Sequence, residues 1–198
     1  MYRPQARGLS LGTSGQLGGS QAGFRLLAPL FGSGRLRASM RVSTALQSPF
    51  QAELAPGLSL KPFHDVPVEL IAEQRLRLSG RAPDATAIFL AGGDTLSPSP
   101  KSRVSFYAQG GAVGLNRPQY FADGALTVRR AVTTSIEIGL GTWGGIQPRL
   151  RRLDIGPSGS ITIPTTAGAF HLAVDGRIRV AGTARPGPGI AITLARDF

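Results

Sequence analysis

Apolar and polar side chains alternate one for one along most of this chain, in stretches that recur roughly every 12 to 18 residues between Gly, Pro, Ser and Asp turns. Across residues 35–46, Leu36, Ala38, Met40, Val42, Thr44 and Leu46 share one face, with Arg35, Arg37, Ser39, Arg41 and Ser43 on the other. Residues 51–62 set Ala52, Leu54, Leu58 and Leu60 against Gln51, Glu53, Ser59 and Lys61; residues 66–78 set Val68, Leu70, Ala72 and Leu76 against Glu69, Glu73, Arg75 and Arg77. These two stretches read as a hairpin. The alternation returns with Val104, Phe106 and Ala108 against Arg103, Tyr107 and Gln109, then with Tyr120, Ala122, Leu126 and Val128 against Asp123, Thr127 and Arg129. Ile136, Ile138 and Leu140 oppose Glu137, Leu153, Ile155, Ile161 and Ile163 oppose Asp154, Ser158 and Ser160, and Leu172, Val174, Ile178 and Val180 oppose His171, Asp175, Arg177 and Arg179. Ile190, Ile192 and Leu194 close the series. With segments at 22–30 and 85–92 the pattern predicts about eleven strands, and a weak twelfth at 6–14 would give the even number of a single-chain bacterial barrel. No stretch carries a comparable 3.6-residue stripe.

Strands of about 9 to 13 residues exceed the usual 5 to 6 of soluble sheets and match the 9 to 11 of tilted membrane strands. Charges inside them lie almost wholly on the polar face, with Arg130 and Arg196 the exceptions, both near strand ends where a long side chain can snorkel. Hydrocarbon imposes such sorting, because an outward Arg or Lys at the bilayer midplane costs roughly 2 to 4 kcal/mol. A soluble sandwich or lipocalin-like barrel produces the same alternation with the opposite face buried, and it stands as the alternative. Pro56 and Pro157 fall inside two of the strands, where each removes a ladder donor, so bulges or breaks are expected there.

The 198 residues fit one domain, expected as an N-terminal segment or first strand over 1–18 and a barrel over 19–198. Apolar residues at 41% are too many for a disordered Gly/Pro linker, and the lack of Cys excludes disulfides, Cys-ligated metal and thiol chemistry. No run of about 18 apolar residues exists for a transmembrane helix. The net charge of +11 rests on Arg, since Lys occurs only at Lys61 and Lys101, and it raises nucleic acid, lipid or an anionic polymer as partners. Residues 1–18 carry Arg3 and Arg7 without an apolar h-region, so no signal peptide is visible there.

Several motifs in the C-terminal half support a family resemblance. They are Tyr107-Ala-Gln-Gly-Gly-Ala-Val-Gly114, Phe121-Ala-Asp123-Gly124, Gly141-Thr-Trp143-Gly144-Gly145-Ile-Gln147-Pro148 and Arg152-Leu-Asp154-Ile-Gly156-Pro157-Ser158. Upstream stand Leu58-Ser-Leu60-Lys61-Pro62-Phe63 and Val68-Glu69-Leu-Ile-Ala-Glu73-Gln-Arg75. Together, over roughly 20–198, the chain resembles the C-terminal barrel of outer-membrane proteins that join a periplasmic tetratricopeptide superhelix to a pore. That group includes the phage-adsorption protein A type and is similar to exopolysaccharide and cellulose export porins. The resemblance implies a location in the bacterial outer membrane and a role in polysaccharide export or phage adsorption. It also implies a periplasmic tetratricopeptide region as partner, so the chain is expected to be a C-terminal fragment of a larger export protein. Phe198, with Leu194, Ile192 and Ile190 at alternate positions, is similar to the signal read by the barrel-assembly machinery, although Arg196 stands where an apolar residue is usual.

Candidate chemistry is sparse. The string Gly139-Leu-Gly141-Thr-Trp-Gly144 matches a dinucleotide motif but lacks room for the helix that must follow. Glu69 and Glu73, about 13 Å apart on one strand face, are too distant for a glycosidase pair and are better read as ion-pair partners of Arg41, Arg75 or Arg77. Two histidines are too few for a metal triad; His171 with Ser158 or Ser160 on the preceding strand could serve a Ser–His lipid hydrolase, the remaining alternative, but no nucleophile signature accompanies it. The expectation is therefore a non-enzymatic, all-β, antiparallel up-and-down transmembrane barrel, without cofactor or metal and without nucleic acid as partner. Arg35, Arg37, Arg41, Glu53, Glu69, Glu73, Arg75, Arg77, Arg129, Glu137, Asp154, Asp175, Arg177 and Arg179 are expected to line its lumen. Their cationic excess favours anions and anionic polysaccharide, while the outer face meets outer-membrane lipid.

Overall fold

The computed structural model describes residues 21–32, 34–45, 52–63, 65–79, 84–166, 168–183 and 188–196. Within them, eleven strands form one antiparallel sheet in strict chain order, and no helix occurs among the described residues. The strands are β1 (Gln21–Pro29), β2 (Leu36–Ala45), β3 (Ala52–Leu60), β4 (Val68–Arg77), β5 (Ala85–Ser99) and β6 (Ser102–Val113). They continue as β7 (Gln119–Ala131), β8 (Ile136–Gln147), β9 (Leu150–Thr165), β10 (Gly168–Gly182) and β11 (Gly189–Arg196). The proposed twelfth strand at 6–14 and the terminal Phe198 lie outside the described residues.

The sheet curls around its polar face. In a flat sheet β1 and β5 would stand four strand spacings apart, about 19 Å. Yet the Arg25 guanidinium of β1 lies 5.8 Å from the centre of the Phe89 ring on β5. Arg75 of β4 likewise reaches Phe121 of β7 at 5.8 Å, and Arg129 of β7 reaches Asp175 of β10 at 3.4 Å. The curvature thus extends over β1 to β10.

Burial follows the same division, in the sense opposite to a soluble sheet. On the inner face Glu73 is 1% exposed and Arg41 3%, whereas on the outer face Leu140 is 64% exposed and Ile192 71%. Outward Leu26, Leu58, Ile88, Ile138, Ile155 and Ile178 are exposed as well. A small apolar cluster does sit inside, built from Ile71, Ala87, Phe89, Ala91 and Phe121 with Tyr107 and Val113 packed on it. These residues alternate with the outward set, so both faces of β5 are apolar.

Neither proline shifts the register. Pro56 keeps its pairing with Met40, and Pro157 keeps its pairing with Leu140. On the opposite side of each strand the ladder pauses: β3 pairs Leu54 with Leu76 and resumes at Gly57 with Glu73, and β10 pairs Asp175 with Ser158 and resumes at Ile178 with Ile155. The missing N–H therefore interrupts one ladder without inserting a residue. True irregularities occur elsewhere, between Leu96 and Ser99 of β5 and between Arg179 and Ala181 of β10. Three strands run well past the predicted spans: β5 continues through Gly93 and Pro98, β6 through Gly110 and Gly111, and β8 through Gly141, Gly144 and Gly145. Asp94 consequently lies on the outward face, on the part of β5 beyond Gly92, the last residue that pairs with β4.

Candidate functional site

The inner face carries two ionic networks. In the first, β2 and β4 aim Arg41 and Glu73 at the same interior point because their residues alternate sides with a period of two. Arg41 donates to Glu73 at 2.7 Å and to Glu53 of β3 at 2.6 Å. Arg25 of β1 and Arg75 of β4 reach the same Glu73 carboxylate at 3.1 Å and 3.0 Å. One carboxylate thus accepts from three guanidinium groups. Toward the β3–β4 turn, Glu69 pairs with Arg37, accepts from Ser59 at 2.8 Å and meets Lys61 at 3.9 Å. Five cations face three carboxylates here, a local excess of positive charge.

The second network spans β6 to β10. Arg129 donates to Ser158 at 2.8 Å and lies 3.4 Å from Asp175, and Ser158 in turn donates to Asp175 at 2.6 Å. Arg103 pairs with Glu137 at 3.3 Å, and Arg152 with Asp154 at 2.6 Å. Arg177 stacks over Trp143, 4.8 Å from its centroid, a cation–π contact strengthened by exclusion from water. Gly141 makes room for that ring: a side chain there would strike the Trp143 indole.

Between the networks stands an aromatic crossing. Phe89 and Phe121 meet edge to face, with centroids 5.8 Å apart and planes at 61°. Gly111 separates them in the register, pairing with Phe89 on β5 and Phe121 on β7, and a Cβ at this glycine would collide with Phe89. Arg25 caps one ring and Arg75 the other, so the crossing is tied to Glu73 from both sides.

Of the expected lining residues, Arg37, Arg41, Glu53, Glu69, Glu73 and Arg75 join the first network, and Arg129, Glu137, Asp154, Asp175 and Arg177 belong to the second. Arg77 is half-buried opposite Glu53 in the register, and Arg179 is half-buried opposite Asp154. Arg35 stands apart, exposed just before β2, where it donates to the Pro62 carbonyl at 2.7 Å. The chain-end set Ile190, Ile192 and Leu194 lies on the outer face of β11. Ser59 takes the polar face that alternation assigns it, whereas Arg25, Phe89, Phe121 and Arg152 line the interior without having been expected there.

His171 Nδ1 lies 3.1 Å from Thr162 Oγ1, its register partner, while Ser158 is engaged by Asp175 and Arg129, and Ser160 donates to Glu137 at 3.2 Å. The dinucleotide-like string lies inside β8, which continues to Gln147 and turns directly into β9. What this inner face can do is bias its interior toward anions and hold a curved wall rigid. No family model, curated protein or solved structure matches the chain.

Proposed function

We propose that the chain is the membrane-spanning β-barrel of a bacterial outer-membrane protein, serving as anchor and anion-favouring pore in exopolysaccharide export. The observation that carries this reading is the inverted burial: Leu140 and Ile192 face outward at 64% and 71% exposure while Glu73 and Arg41 are enclosed at 1% and 3%. A contiguous apolar exterior of this extent marks a membrane or interaction surface rather than a water-facing one. The alternative of a soluble binding module requires the reverse arrangement. The motif resemblance adds the export role and, equally, a surface to which a phage could adsorb.

Strand parity sets what a closed barrel would require. β1 and β11 are both odd-numbered in an alternating sheet, so they run in the same direction and cannot pair antiparallel with each other. One strand between them, drawn from residues 6–14, would complete an even-numbered antiparallel barrel and leave no free edge.

The refolded chain should need detergent or lipid to stay monodisperse, and should show heat-modifiable mobility on a gel. Monodispersity in plain buffer without heat modification would remove the membrane reading. In planar bilayers, Arg37→Gln with Arg75→Gln should lower anion preference; unchanged selectivity would confine these arginines to a structural role.

A further inference from the structure

At one end of the sheet, where even strands turn into the odd strands that follow, the described β6–β7 and β8–β9 turns carry cations without an ion-pair partner, while the acid Asp84 of the β4–β5 turn accepts from the Arg77 backbone N–H. Arg117 lies in the β6–β7 turn, Arg149 in the two-residue β8–β9 turn, and Arg151 at the start of β9 on the outward-facing parity of Leu153 and Ile155. All three are exposed, and none forms an ion pair among the described residues. The acids of the adjoining strands, Asp123 and Asp154, point to the inner face, where Gln109 and Arg152 engage them. The opposite end differs. There Arg103 is paired with Glu137 and Lys61 with Glu69, and the acids Asp65 and Asp94 are exposed as well as the cations Lys101 and Arg130.

Directly beneath the unopposed cations begins the apolar outer face. Leu115 is 71% exposed, and Tyr120, Ile146 and Leu153 are exposed too, with Ile146 paired to both Ala122 and Arg151. An amphipathic ring at the margin of an apolar belt, with guanidinium groups above it, is the profile of a membrane–water interface facing anionic headgroups. The β6–β7 and β8–β9 turns are two strand spacings apart across the sheet, about 10 Å, and the register staggers them by about three residues, roughly 10 Å, along it. That separation suits a headgroup with two phosphates on one saccharide better than a single phosphodiester, and guanidinium forks match phosphate oxygens bidentately.

We infer that Arg117, Arg149 and Arg151 form a docking surface for a bisphosphorylated glycolipid headgroup, seated against Leu115, Tyr120 and Ile146. This rests on the barrel reading and names the lipid that one sector of its rim prefers. The test refolds the full chain into phosphatidylcholine vesicles containing either bisphosphorylated lipid A or phosphatidylglycerol, and measures lipid retained on the extracted protein by native mass spectrometry. Lipid A should be retained at least about tenfold more strongly than phosphatidylglycerol, and the triple Arg117→Gln, Arg149→Gln, Arg151→Gln variant should lose about that factor, as expected for lost charge-assisted bonds. Arg130→Gln with Lys101→Gln, at the opposite end, should leave retention unchanged.

Equal retention of the two lipids by the unsubstituted chain overturns the inference, whether or not the triple variant folds. So does undiminished lipid A retention by a folded triple variant, and so does retention of neither lipid while the heat-modifiable band forms normally. Failure to form that band in any vesicle would instead remove the barrel reading beneath it.

Discussion

Glu73 concentrates more of the interior electrostatics than any other residue described, because Arg25, Arg41 and Arg75 all direct guanidinium hydrogens to its carboxylate. Removing a carboxylate from such a cluster leaves several buried cations without their counter-charge. Glu73→Gln should therefore lower unfolding stability by about 3 to 5 kcal/mol, read by urea titration in lipid vesicles. A loss below about 1 kcal/mol would show that the cluster is solvated like a surface ion pair. Gly111 is a steric counterpart: it leaves space for Phe89 to reach Phe121, and a methyl group there meets the Phe89 backbone and Cβ. Gly111→Ala should cost about 1 to 3 kcal/mol by overpacking, whereas Phe89→Ala should cost about 3 to 5 kcal/mol and raise single-channel conductance. Unchanged conductance would mean that the ring crossing does not obstruct the interior.

At this scale the charged inner residues were readable from alternation, since Glu69, Glu73 and Arg75 fall on the parity opposite Leu70, Ala72 and Leu76. The aromatic crossing was not. Residues 85–91 are apolar at nearly every position, so period two gives no sign of which side Phe89 takes, and its partner Phe121 lies 32 positions away. The sign that was available is Gly111, a strand glycine at a register position flanked by two rings.

Among elements, the strands were found at their predicted centres and misjudged at their ends. Gly92, Gly144 and Gly145 resemble turn residues locally, but pairing on both sides keeps them extended, as with Gly144 between Gly124 and Leu153. Tertiary pairing overrides the local preference. The prolines illustrate the converse: each was expected to distort its strand, and each is absorbed by a pause in one ladder while the other holds register. The outward face of β8 offers a depth test. Leu140→Arg, mid-strand, should destabilise the folded state by about 2 to 4 kcal/mol, and Ile146→Arg, beside the β8–β9 turn, by only about 0 to 1 kcal/mol. Equal small costs at both positions would mean that water bathes this face.

For the molecule as a whole, the sequential order of the strands was legible because every predicted strand is joined to the next by a short turn, which leaves neighbours little choice but to pair antiparallel. Whether the sheet closes on itself was not legible, since that depends on edges that lie far apart in the chain. The parity of β1 and β11 makes the missing contact testable, and the absence of native Cys makes the chemistry clean. Leu9→Cys paired with Ile192→Cys should form a disulfide under mild oxidation in the folded state. Its failure, alongside ready cross-linking of Leu26→Cys to Ile192→Cys, would mean that the first and last described strands meet directly.

The meander has one more implication. Because each strand is hydrogen-bonded only to those that immediately precede and follow it in synthesis, a hairpin is a detachable module. Duplicating or excising two adjacent strands would alter the girth of the structure while every remaining residue kept its inward or outward aspect. Losing a single strand would instead turn all later ones head to tail, so drift in calibre along this lineage is expected to proceed in steps of two.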